Sequence, residues 1–91
     1  MLVHGYGGSG LIFYKIIKEL ASYFDLILID IIGMGASSRP KFEAKNASEA
    51  DEFFVNFLEQ WRIKMGDLKG FYLAGHSFGG YVVGHYAYRY P

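Results

Sequence analysis

Apolar and polar positions follow two different periods along the 91-residue chain. Leu2-Val3 reads as the end of a buried strand, and His4 to Gly10 as a Gly-rich loop. From Leu11 to about Tyr23 the apolar residues Phe13, Ile16, Ile17, Leu20 and Phe24 recur at short helical spacings, which predicts a helix. Leu26 to Ile29 is a wholly apolar run ending at Asp30, as suits a strand buried on both faces of a parallel sheet. Ile31 to Ala47 contains Gly33, Gly35 and Pro40 and reads as a long loop. Ser48 and Asp51 have the spacing of a capping box, and the helix after them runs to about Met65. Ala50, Phe54, Phe57, Leu58, Trp61 and Met65 form its apolar stripe, and Gly66 is its expected C-terminal stop. Phe71 to Ala74 is a third predicted strand, Gly75 to Gly80 a sharp turn, and Phe78 to Tyr90 a last helix.

Strand and helix therefore alternate three times. That order predicts an α/β fold, a parallel sheet with flanking helices and right-handed crossovers. Three strands cannot cover both faces of such a sheet. Residues 1–91 are thus expected to be part of a larger domain that the chain enters in mid-strand.

Composition narrows the functions. Nine Lys and Arg balance nine Asp and Glu, which leaves no basic surplus for nucleic acid or anionic membranes. With no Cys there is no disulfide framework or thiolate metal site, and the chain fits a reducing compartment. No run is long and apolar enough for a membrane span, and the first residues lack the basic stretch of a signal peptide. No cofactor or metal is expected.

Gly75-His76-Ser77-Phe78-Gly79 fits G-x-S-x-G. With 12 glycines in the chain, chance supplies only about 0.1 such windows. Its position adds weight, because an apolar strand runs into it and a helix runs out. A serine on such a turn sits on strained backbone, and the flanking glycines let neighbouring backbone pass. The turn would lift the Ser77 hydroxyl above the sheet and aim the Phe78 amide at a developing oxyanion. A Gly-rich turn with an idle serine is the plain alternative.

A second motif competes with this one. Gly5-Tyr6-Gly7-Gly8-Ser9-Gly10 fits G-x-G-x-x-G, and Asp30 follows at the end of the next strand, where a dinucleotide-binding fold places its ribose ligand. That reading leaves the Ser77 turn unexplained and puts a polar His4 where an apolar strand end is usual. Asp30 is better read as a loop anchor whose carboxylate accepts backbone N–H groups near Gly33 and Gly35.

With these residues placed, the chain resembles the α/β-hydrolase superfamily over its whole length. The matching segments are Leu2 to Gly8, Asp30 to Pro40 and Gly75 to Gly80. The helix bearing Phe54-Val55, Glu59, Trp61-Arg62 and Met65-Gly66 is similar to one branch. That branch holds the N-acyl phospholipid lysophospholipases and the lipid-droplet lipase co-activator.

The resemblance implies a lipid ester or amide substrate, Ser77 as nucleophile, and oxyanion amides at Tyr6 and Phe78. His4 would hold its loop through ring hydrogen bonds. The co-activator carries Asn where this chain has Ser77, which favours an enzyme over a non-catalytic lipid-surface module. A carboxylate nucleophile, as in epoxide hydrolases, is not what position 77 offers. The resemblance also implies a cytoplasmic protein in peripheral contact with membranes or lipid droplets.

In this fold the catalytic acid and His follow the nucleophile. After Ser77 there is no Asp or Glu, and the one later histidine, His85, stands about 12 Å along the same helix. The base and acid, and the branch's acyltransferase motif, are therefore expected past Pro91, and these 91 residues alone are expected to be inactive. Trp61, Tyr81, Tyr86, Tyr88 and Tyr90 are read as packing residues.

Overall fold

The computed structural model describes residues 1–91. Its elements are β1 (Leu2–Val3), a 3-10 turn (Gly10–Phe13), α1 (Tyr14–Ala21), β2 (Leu28–Ile29), α2 (Ala47–Lys64), β3 (Ala74–Gly75) and α3 (Phe78–Arg89). The strands are parallel in the order β2-β1-β3. Leu2 lies opposite Leu28 on one side and Ala74 on the other, and Val3 opposite Ile29 and Gly75. The chain thus leaves β1 in one direction and returns across it in the other. Right-handed crossovers in opposite directions put α1 and α2 on opposite faces of the sheet. α3 packs against α2.

The core lies on the α2–α3 face. Val3, Ile29 and Ile31 meet Val55 and Leu58 from α2 and Val82 and Tyr86 from α3. Each such side chain stabilises by about 1.5–3 kcal/mol when fully buried. Phe54, Phe57 and Trp61 pack around this cluster, as the stripe on α2 predicts. α1 contributes no buried residue. No helix is long and apolar enough to cross a membrane.

Several boundaries differ from expectation, each for a local reason. The strand predicted over 26–29 pairs at Leu28 and Ile29, and the one predicted over 71–74 pairs at Ala74 and takes in Gly75 from the predicted turn, these being the residues opposite Leu2 and Val3. The first helix opens as a 3-10 turn because Ser9 closes it tightly. The Ser9 carbonyl accepts from Ile12 N–H at 3.1 Å and its hydroxyl from Leu11 N–H at 3.3 Å. The second helix is capped by Asn46 and not Ser48. Asn46 Oδ1 accepts from Glu49 N–H at 2.9 Å, and Glu49 reaches back to Lys45 N–H at 2.6 Å. Asp51 is free of capping and accepts instead from the Tyr81 hydroxyl of α3 at 2.7 Å. Gly66 ends this helix as expected, at φ 89°.

Candidate functional site

The connections from β1 and β3 leave to opposite sides at the C-terminal ends of these adjacent strands, the place where open parallel sheets take their ligands. The loop starting at His4 and the turn at Ser77 meet there. A Cβ built on Gly5 would stand 3.2 Å from Ser77 Cβ and 3.6 Å from its Oγ.

Ser77 takes φ 55° and ψ −120°, between β3 and the first residue of α3. A side chain in such backbone costs of order 1–3 kcal/mol unless the surroundings enforce it. Here they do. A Cβ on Gly75 would collide with the Gly79 carbonyl and Gly80 nitrogen, and one on Gly79 with the carbonyls of Val3 and His4. Bare backbone at these two positions lets the end of β3, the first turn of α3 and the end of β1 close on one another. Ser77 is exposed, and its hydroxyl makes no capping bond to α3. Phe78, first in α3, has an N–H that the helix itself cannot satisfy. The positive end of the helix dipole adds to that field.

The β1 loop supplies a second free donor. Tyr6 is 86% exposed, and its amide donates to no protein acceptor. His4 beneath it is fully buried. Its Nε2 accepts from Ile31 N–H at 2.9 Å, so Nδ1 carries the proton and donates to the Gly5 carbonyl at 2.7 Å. Both ring nitrogens are therefore engaged in holding the loop, as expected of His4, and neither is free to act as a base.

Asp30 anchors the same end of the sheet. Oδ1 accepts from Gly10 N–H at 2.7 Å and Oδ2 from Ala36 N–H at 2.8 Å. Those two amides, Gly10 first, hold its carboxyl below the usual carboxylate range. Both oxygens are spent on backbone donors, and the Gly10 amide is spent as well. The dinucleotide reading needs that carboxylate for a ribose and that amide for a phosphate, so the residues do not support it.

The family model of the alpha/beta hydrolase fold matches residues 1–91, the whole chain. The chain belongs to the α/β-hydrolase fold family. It is 45% identical over its full length to 1-acylglycerol-3-phosphate O-acyltransferase of Arabidopsis thaliana, covering 22% of that protein. It is 34% identical to the human 1-acylglycerol-3-phosphate O-acyltransferase ABHD5, covering 26% of it. It is 35% identical to the bovine (lyso)-N-acylphosphatidylethanolamine lipase, again covering 26%. Among solved structures it is similar to an extracellular α/β-hydrolase from a Paenibacillus species, with a TM-score of 0.72 and 28% identity over 99% of this chain and 34% of that one. The chain thus spans about a quarter of the length of the curated relatives it matches.

Other polar groups of this α/β-hydrolase chain lie away from Ser77. His85 faces α2, with Nδ1 3.8 Å from Asp51 Oδ2 and its ring 4.4 Å from that of Tyr81. The Asp51 carboxylate holds the Tyr81 hydroxyl above its usual range. His76 is exposed, and its backbone N–H donates to the Val3 carbonyl at 3.0 Å. Tyr6 and Ser77 stand on open surface, while the Phe78 side chain is partly buried against the core, its ring 5.1 Å from that of Phe54. No three His, Asp or Glu side chains converge to hold a metal ion.

One cluster escaped the sequence. Glu59 is buried between α2 and α3. Arg62 grips it with two bonds, Nε to Oε2 at 3.0 Å and Nη2 to Oε1 at 2.6 Å. The Tyr86 hydroxyl donates to Oε2 at 2.5 Å. Arg62 first, then Tyr86, pulls the Glu59 carboxyl down to about 2. Burial first, then Glu59, pushes Tyr86 up to about 12. The three-residue spacing of Glu59 and Arg62 on a helix was the available signal. The pairing with Tyr86 had none. Tyr86 packs in the core as expected but also carries this buried bond, while Tyr88, expected to pack, is 90% exposed.

Proposed function

We propose that Ser77 is the nucleophile of an acyl-transferring serine enzyme of lipid esters, working through an acyl-enzyme. Its Oγ attacks the acyl carbonyl, the amides of Tyr6 and Phe78 receive the oxyanion, and the alcohol or amine leaves with a proton. The acyl group then passes to water, as in a lipase, or to the free hydroxyl of a lysophospholipid. Relatives are named for each outcome. The base and its acid partner belong, on this reading, to the part of the protein after Pro91. A cytoplasmic location and peripheral contact with membranes or lipid droplets are part of the same proposal.

The observation that carries it is the exposed Ser77 at φ 55°, held there by backbone contacts that only Gly75 and Gly79 permit. A fluorophosphonate probe on the intact protein tests it. Wild type is expected to label and Ser77→Ala to stay unlabelled; labelling that survives the substitution overturns the assignment.

A second reading, a lipid-surface regulatory module without turnover, draws on one observation. Tyr6, Leu11, Ile12 and Tyr14 expose large apolar surface beside the same loop. It predicts a folded intact protein that binds lipid vesicles yet takes no probe.

A further inference from the structure

We infer that the Glu59–Arg62–Tyr86 network is a positioning device for Ser77. The inference rests on the reading of Ser77 as nucleophile. Ser77 is joined to the rest of the chain by two arms, β3 before it and α3 after it, and the network holds both. Arg62 Nη1 donates to the Leu68 carbonyl at 3.1 Å, in the segment that leads into β3. The same guanidinium clamps Glu59, and Glu59 accepts from Tyr86 on α3.

Each arm needs such a hold. On the approach to β3 the backbone bends at Gly70, φ 66°, and the Arg62 bond to the Leu68 carbonyl holds the chain just before that bend. Tyr86 stands nine residues beyond Ser77, about 13 Å along the helix axis. At that lever length a small tilt at Tyr86 moves the Phe78 amide and shifts Ser77 against Gly5 and Tyr6. Apolar packing of Val82 resists separation but has no direction, whereas a two-pronged Arg–carboxylate bond fixes an angle. Buried ion pairs are also poor stabilisers compared with apolar side chains of similar volume, so geometry is the property this one best supplies. Both side chains are largely enclosed, 17% exposed for Arg62 and 12% for Glu59. Nothing in the network touches Ser77, so these are positioning residues and not catalytic ones.

The test is fluorophosphonate inactivation of the intact protein, resolved into the maximal rate, kinact, and the half-saturating probe concentration. It is run well below the unfolding midpoint, where circular dichroism shows each variant folded. Tyr86→Phe keeps the ring and removes one bond, and Arg62→Lys keeps the charge and removes the fork. Both are expected to lower kinact about tenfold with half-saturation unchanged. Asp67→Asn, which weakens the exposed pairs of Asp67 with Arg62 and Lys69 and leaves the Arg62–Glu59 fork in place, is expected to leave kinact within about twofold. If Arg62→Lys fails to fold, Tyr86→Phe decides alone. Variants that label like wild type overturn the inference and leave the Ser77 reading intact, and so does a loss confined to half-saturation. A folded wild type that takes no probe removes the reading and this inference with it.

Discussion

Two regions of the chain reach a tight fit by opposite means. Around Ser77 the backbone closes because side chains are missing: Gly75 and Gly79 admit carbonyls where a Cβ would collide. Around Arg62 the chain closes because side chains are present and charged, with one guanidinium joining Glu59, Asp67 and the Leu68 carbonyl. The first depends on hard-sphere contact, which is indifferent to pH and intolerant of a single methyl group. The second depends on charge-assisted bonds, which soften gradually and respond to acid. A strained turn is thus built from the less adjustable interaction, and the contact between α2, α3 and the Leu68 segment from the more adjustable one.

The contrast is tested most severely by Gly79→Ala. The new methyl would occupy the space of the Val3 and His4 carbonyls, both backbone atoms that cannot swing aside. A loss of about 3 kcal/mol is expected, with probe labelling of Ser77 abolished. Denaturant unfolding of the intact protein measures the first and fluorophosphonate labelling the second. A cost under about 1 kcal/mol would mean that α3 can slide on β1, and the steric account of the turn would fail.

Acid should loosen the other region first. Glu59 titrates at about 2 in the folded chain, against an ordinary 4.5. As pH falls, the unfolded chain takes up this proton before the folded one does. The stabilisation is therefore complete above about pH 4.5 and is lost progressively towards pH 2. Allowing for solvent screening of the pair, about 1–2 kcal/mol is at stake. Unfolding midpoints of wild type should fall more steeply through that window than those of Glu59→Gln. Parallel curves would show that Glu59 is no more stabilised in the fold than out of it.

The same division decides what the sequence discloses. G-x-S-x-G is legible because its glycines answer a demand that arises within five residues, and the parallel α/β order follows from local hydrophobic periods. Asp30 is legible for a similar reason, since it serves backbone amides of loops already implied by the glycines, whereas the role of His4 follows from the family resemblance. Sequence spacing points to Ser48 and not Asn46 as the cap because two polar residues near one helix start offer nearly the same spacing, and only the reach of Glu49 to Lys45 N–H separates them. The Glu59–Tyr86 bond is invisible in sequence. It joins residues 27 apart that meet only once α2 and α3 have packed.

Gly84→Ala is the smallest expected effect and isolates the steric argument from glycine as such. Gly84 lies on α3, as Gly79 does, yet a Cβ there meets nothing within 4 Å. It sits on the exposed side of the helix. Alanine at that position keeps the helical backbone and reduces the freedom of the unfolded chain, so a gain of about 0.5–1 kcal/mol is expected with Ser77 labelling unchanged. Thermal unfolding of the intact protein reads it as a small upward shift in Tm. Opposite signs for Gly79→Ala and Gly84→Ala, five residues apart on one helix, would show that contact and not helix propensity governs the Ser77 turn. A loss at both positions would instead mean that this side of α3 is covered in the intact protein, and the open surface beside Ser77 would be narrower than it stands here.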